Sequence, residues 1–451
     1  MMAAGSDQAN WSSRWTFIMA AVGSAVGLGN IWLFPFKAGQ SGGAAFVLVY
    51  LAFSFLIGVP LLMTELSLGR RGRMSPIGSM KKIAAEEKRS PLWGLIGWSG
   101  VLGAFIILSF YSVVGGWTLA YMIKAIMGFQ GLDAAGATSM FSDFIGHATE
   151  PLVSHAIFMG ITMYIVARGV QGGLEKAVSL MMPALFGLLV LLVVYAALTG
   201  AFADALAFLF TPDFGKLTPA VVIDALGQSF FSLSLAMGSI MTYGAYLNRD
   251  VKIGPSALTI AAADSTVALL AGLAIFPIVF QFGISASGGP GLVFMSLPIA
   301  FGQMPGGQII GTLFFALLSM AAITSSISLL EPAVSYLEHS WKINRKKSAL
   351  TIAAAAFALG ILSALGQEGN MLGNVRIFGQ SIMDAKGYLT NNIMMPLGGM
   401  FTALFVGWFV SRKAMADELA LTDAQFRFWY TIVRFVAPIA VFLVFLSVTV
   451  L

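Results

Sequence analysis

Gly23-Ser24-Ala25-Val26-Gly27-Leu28-Gly29-Asn30 lies inside the first long apolar segment of the chain, residues 14–39. A bilayer takes about 20 apolar residues to cross, so the segment is long enough to span one. Its interior is nevertheless punctuated: glycines at 23, 27 and 29, then Asn30, then Pro35. Glycine favours non-helical dihedrals, and proline removes a backbone donor and crowds the preceding turn. A membrane helix broken in this way leaves amides and carbonyls unpaired at bilayer depth. Such groups are tolerated only where they line a cavity enclosed by protein. A cation and the polar head of a small solute would pair them. Read alone, Gly23-x-x-x-Gly27 is equally a helix-packing face.

Composition sets the class. The 451 residues are 58% hydrophobic and 10% charged, which describes a polytopic membrane protein. With no cysteine and three histidines, disulfides, zinc sites and thiol chemistry are excluded. The net charge of +5 sits in short loops and reports membrane orientation rather than nucleic-acid binding. The N-terminus is short and polar, and the first span is too long for a signal-peptide core.

Apolar runs predict eleven spans, at 14–39, 42–70, 93–127, 152–169, 175–200, 219–247, 254–285, 307–341, 347–366, 388–411 and 424–450. One set of alternate loops holds Arg70, Arg71, Arg73, Lys81, Lys82, Lys88 and Arg89, then Lys342, Arg345, Lys346 and Lys347. The opposite loops are acidic, with Asp133, Asp143, Glu150, Asp204 and Asp213. The positive-inside rule puts the N-terminus in the cytoplasm of a cell (inner) membrane and, with an odd number of spans, the C-terminus outside. The loop 285–307 is too apolar for an exposed outer loop and reads as a lid dipping into the outer vestibule.

Span 6 repeats the theme of span 1 at Ser232-Leu233-Ser234-Leu235-Ala236-Met237-Gly238-Ser239. Two interrupted helices at corresponding places in two five-helix halves point to a transporter's central site. The halves fall at 14–200 and 219–411, with 424–450 left over as an eleventh helix. Half-helix amino ends would face an anion, and unwound carbonyls a cation. Glu65, Asp264 and Glu331 are acids deep within spans, where charge is costly without a partner, so each is a functional candidate. Thr324-Ser325-Ser326 on span 8 offers hydroxyls beside small residues. Oxygen-only ligands suit hard cations, sodium among them.

These residues resemble the neurotransmitter:sodium symporter family, with its LeuT fold of all-α 5+5 inverted repeats with broken helices 1 and 6. The likeness rests on Gly-Leu-Gly-Asn-Ile-Trp, Ser-Gly-Gly-Ala-Ala-Phe, Glu-Leu-Ser-Leu-Gly-Arg, Phe-Phe-Ser-Leu-Ser-Leu, Gly-Pro-Gly-Leu-Val-Phe and Pro-Leu-Gly-Gly. Eleven spans is similar to a bacterial subgroup. The resemblance implies two sodium sites, one from Gly23, Val26, Ala321, Thr324 and Ser325, the other from Ala25, Asn30, Ser232 and Asp264. It implies a small zwitterionic substrate, an amino acid foremost, its carboxylate on Leu28, Gly29 and Tyr111. Ala25, Ile107, Phe231, Ser232, Ser234, Met237, Ser325 and Leu329 would complete the pocket, with Phe231 as its aromatic lid. The family's chloride position would draw on Tyr50, Gln228 and Ser232, but its fourth place reads Ala268. Chloride dependence is therefore not expected, and Asp264 would be the internal anion.

The sequence departs from the family at both gates. The outer-gate Arg and Asp read Leu33 and Gly387. At the inner gate the amino-terminal Arg reads Gln8 beside Trp11, its acid reads His339, and Tyr246 remains. Gating is thus expected to rest on Phe231, the lid and neutral hydrogen bonds. Lys37 either replaces the missing outer charge or snorkels to the surface. A β- or γ-amino acid or sulfonate is the alternative substrate, and a ligand sensor that does not cycle is the alternative function. No acid pair or Ser–His arrangement indicates an enzyme.

Overall fold

A computed structural model describes residues 10–283 and 292–449. Gln8 and the start of the outer loop, 284–291, lie outside them. Among the described residues nine helices are long and apolar enough to cross a membrane, and Arg14–Ala25 with Gly29–Gln40, bent by 49°, forms a tenth. Span 6 is divided into Pro219–Ser232 and Ser239–Ala245, each shorter than a bilayer. The spans expected from the sequence agree with these to within six residues at each end, the largest difference being the start of Ile382–Phe409.

Burial sorts the spans. Span 8 (Gly307–Trp341) is buried along nearly its whole length and packs along span 3 (Pro91–Met127). Span 5 (Val170–Thr199) and span 11 (Asp423–Ser447) are apolar but largely exposed, as helices hydrophobic all round and facing lipid should be. Spans 1, 3, 6 and 8 therefore surround the polar interior.

Both breaks have local causes. Span 1 stops where Val26 turns extended, at φ −73° and ψ 102°. A Cβ on Gly27 would come within 2.4 Å of the Ser325 hydroxyl and 3.0 Å of that of Tyr111. Close approach to spans 3 and 8 therefore demands glycine there, so the packing and break readings of this glycine hold together. Span 6 comes apart through left-handed residues, Ser234 (φ 53°), Ala236 (φ 62°) and Gly238 (φ 73°). Such conformations cost a non-glycine residue on the order of 1–3 kcal/mol and persist only where the surroundings hold them.

Short helices join the spans, among them Pro76–Glu86, Ala134–Gly146 and Phe202–Phe210. Two are legible afterwards as capped starts, since Ser75 precedes Pro76 and the Asp133 carboxylate accepts from Gly136 N at 2.7 Å. The apolar piece of the outer loop packs inward, with Val293, Phe294, Leu297, Ala300 and Phe301 buried, as its composition predicts. Its Phe294 stacks on Phe141 and meets Trp32, Trp117, Tyr121 and Phe315 at centroid distances of 5.0–6.2 Å.

Candidate functional site

The breaks of spans 1 and 6 meet span 8. The Ser325 hydroxyl stands 3.4 Å from each of the carbonyls of Gly23, Ser24 and Val26. On the same helix face, the Thr324 hydroxyl lies 3.0 Å from the Ala321 carbonyl. One hydroxyl hydrogen cannot satisfy three carbonyls, so this cluster has more acceptors than donors. A small hard cation fits such a set, since every candidate ligand is oxygen. The residues expected here thus come together, with Ser24 as an addition.

A second polar cluster is centred on Asp264, which is wholly buried. Asn30 Nδ2 donates to Asp264 Oδ1 at 2.7 Å, and the Tyr50 hydroxyl donates to Oδ2 at 3.0 Å. The Ser232 hydroxyl stands 2.7 Å from Oδ2 and 2.9 Å from Oδ1. An isolated carboxylate at this depth would be untenable, and these donors supply the compensation that burial requires. Two expectations need correcting. Asn30 presents its amide nitrogen to this group, because its oxygen accepts from Gly27 N at 3.2 Å while the carboxylate draws a donor. Ser232 belongs to this cluster and does not line the substrate cavity, its hydroxyl being taken by Asp264. Gln228 also turns elsewhere, donating to the Gly29 carbonyl at 2.9 Å, and Ala268 is buried among apolar neighbours.

Between the clusters is a small cavity under Phe231. Ala25, Leu28, Gly29, Ile107, Tyr111, Phe231, Ser234, Met237, Ser325 and Leu329 line it, as expected, together with Ser24, Gly27 and Ser328. The Tyr111 hydroxyl accepts from Leu28 N at 3.3 Å, and the Ser234 hydroxyl donates to the Ser24 carbonyl at 2.9 Å. Above it opens an outer vestibule of about 820 Å³, whose walls include Trp32, Leu33, Phe231, Gly387 and Asn391. Glu65 braces the broken helix from behind: its Oε1 accepts from Ala236 N at 2.6 Å, in the middle of the left-handed run.

At the outer end Lys37 pairs with Asp224 at 2.7 Å. The partner was not anticipated, and it links spans 1 and 6 rather than spans 1 and 10. At the inner end the expectation of neutral gating is corrected. Trp11 donates from its indole to the Tyr243 carbonyl at 3.0 Å, and the Tyr246 hydroxyl donates to Glu331 at 2.7 Å. Arg345 binds Glu331 at 2.5 Å and Glu338 at 2.9 Å. A charged network therefore closes this side, its central acid Glu331 about two turns along span 8 from His339, where the family pattern put it. His339 is not part of it, its Nδ1 lying 2.8 Å from the Ser335 carbonyl. The sequence places Arg345 only among the loop charges, and its distance in sequence from Tyr246 conceals the connection.

Known proteins are similar to this chain in fold and sequence. A family model described as the sodium:neurotransmitter symporter family matches residues 8–132 and 137–451. The chain is 39% identical over 442 residues to the uncharacterized sodium-dependent transporter YhdH of Bacillus subtilis, across 97% of each chain. It is 35% identical over 446 residues to an uncharacterized sodium-dependent transporter of Haemophilus influenzae, again across 97% of each. A crystal structure of MhsT in complex with L-phenylalanine superposes with a TM-score of 0.90 at 43% identity, covering 98% of this chain and 100% of that one.

Proposed function

Because this chain belongs to the sodium:neurotransmitter symporter family and is a sodium-dependent symporter rather than an enzyme, we propose that it imports an α-amino acid by alternating access. The carrying observation is the convergence of the span 1 carbonyls on the Ser325 hydroxyl, beside a cavity lined by the residues of the break.

In this reading sodium occupies two sites. Gly23, Val26, Ala321, Thr324 and Ser325 form one, and Ala25, Asn30, Ser232 and Asp264 the other, which the Asn30 amide enters by turning its oxygen inward. The substrate carboxylate takes the amides of Leu28 and Gly29 and the Tyr111 hydroxyl. Phe231 closes over it. The ion completes the site that the substrate needs, so each tightens the other reciprocally. Asp264, satisfied by the hydroxyls that would otherwise hold an anion, removes the need for chloride. The repeats 14–200 and 219–411 rock about this centre, in the cytoplasmic membrane with the N-terminus inside and the C-terminus outside. MhsT, at 43% identity, has been crystallised with L-phenylalanine, which supports an amino acid here.

Uptake of a labelled amino-acid panel into proteoliposomes tests the proposal. Accumulation driven by an inward sodium gradient is expected. Binding without accumulation for every amino acid would instead indicate a sensor.

A further inference from the structure

The cavity under Phe231 is lined by apolar side chains, Ile107, Met237 and Leu329 among them, and by four serines, Ser24, Ser234, Ser325 and Ser328. Three of these hydroxyl hydrogens are committed, that of Ser325 to the span 1 carbonyls. Ser234 donates to the Ser24 carbonyl at 2.9 Å, and Ser328 donates to the Ser325 carbonyl at 2.7 Å. Ser24 differs: it is 2% exposed, and its Oγ has no hydrogen-bond partner. A buried hydroxyl left unpaired carries a desolvation penalty that a ligand group can recover.

Position gives the hydroxyl its meaning. Leu28 and Gly29, which the proposed reading assigns to the substrate's carboxylate, follow the break in span 1. Ser24 is one helical turn earlier, before the break. Its neighbours Ser234 and Ser328 retain acceptor lone pairs, while Ser24 retains its donor. A single oxygen that both accepts and donates satisfies this arrangement, whereas a hydrocarbon leaves the Ser24 donor stranded.

We propose that Ser24 is a specificity-determining residue, and that the preferred substrate is an amino acid whose side chain bears a hydroxyl on an otherwise apolar frame. This rests on the amino-acid reading of the site and narrows it. The discrimination has a physical basis: a site built to hydrogen-bond a substrate hydroxyl rejects the analogue lacking it far more strongly than an apolar pocket rejects an added group.

The test is sodium-dependent equilibrium binding to the purified full chain, using two near-isosteric pairs, L-tyrosine with L-phenylalanine and L-threonine with L-valine. In the wild type the hydroxyl member of at least one pair should bind about tenfold or more tighter than its partner. In Ser24→Ala that ratio should fall toward one, and in Ser24→Thr, which restores a hydroxyl, it should recover. Two outcomes overturn the inference while leaving amino-acid binding intact. One is equal or tighter binding of the hydrocarbon member in both pairs. The other is a Ser24→Ala variant that weakens both members in equal proportion, the mark of a merely structural role. If none of some twenty standard amino acids, these four included, binds in sodium, the parent reading fails and this one with it.

Discussion

Tyr246 and Glu331 are joined across spans 6 and 8 by a 2.7 Å hydrogen bond, and Arg345 closes on the same carboxylate at 2.5 Å. Glu331 is fully buried and the Arg345 side chain is only 16% exposed, so this is an interior pair. Removing one partner of such a pair costs roughly 3–5 kcal/mol, because the other is left uncompensated. Glu331→Gln should therefore loosen the inner closure. The chain contains no cysteine, so a single reporter can be placed without background. A cysteine replacing the buried Ser335 should react several-fold faster with a thiol reagent in Glu331→Gln than in the parent. Equal rates would remove this network from the gate.

The donors around Asp264 make a prediction about anions. Asn30, Tyr50 and Ser232 all direct polar hydrogens at its carboxylate. Replacing chloride with gluconate should leave wild-type uptake unchanged. Asp264→Asn removes the charge but keeps the shape, and its uptake should fall by about tenfold or more in gluconate and recover in part with chloride. Uptake by the variant that is indifferent to chloride would show that Asp264 does not stand in for an anion.

Glu65 is a brace for the strained turn of span 6. Its bond to Ala236 N at 2.6 Å satisfies an amide that the broken helix leaves free. Glu65→Ala should lower stability by about 1–3 kcal/mol through that orphaned donor, read as a lower melting temperature in detergent. Glu65→Gln keeps an acceptor oxygen and should lose less. A Gln variant as unstable as Ala would point to the charge rather than the acceptor.

Lys37 and Asp224 form a pair of another kind. Their side chains are 27% and 43% exposed, and solvated pairs contribute about 0–1 kcal/mol. A double-mutant cycle with Lys37→Met and Asp224→Asn should give a coupling below about 1 kcal/mol in substrate affinity. A markedly larger value would make this pair an outer gate.

The spans were legible because apolar length is a strong signal, and both breaks because Gly27, Gly29 and the Ser232–Ser239 run contradict the helix around them. The Thr324–Ser325 group stood out as hydroxyls beside small residues within a span, and most of the cavity followed from the family resemblance. What escaped was pairing between distant residues. Nothing in the sequence joins Lys37 to Asp224, or Arg345 to Tyr246 through Glu331, since those contacts depend on how helices cross. Nothing in residue type sets Ser24 apart within its motif, since its lack of a hydrogen-bond partner appears only in the fold. The orientation of the Asn30 amide is set by a local bond to Gly27 N, a detail that residue type cannot reveal.

The central claim is that sodium and an amino acid share one site at the two helix breaks, and binding to purified protein tests it most directly. Affinity for the preferred amino acid should be about tenfold or more tighter in sodium than in potassium at equal ionic strength, and Thr324→Ala should shrink that difference. The same affinity in both salts would contradict the account.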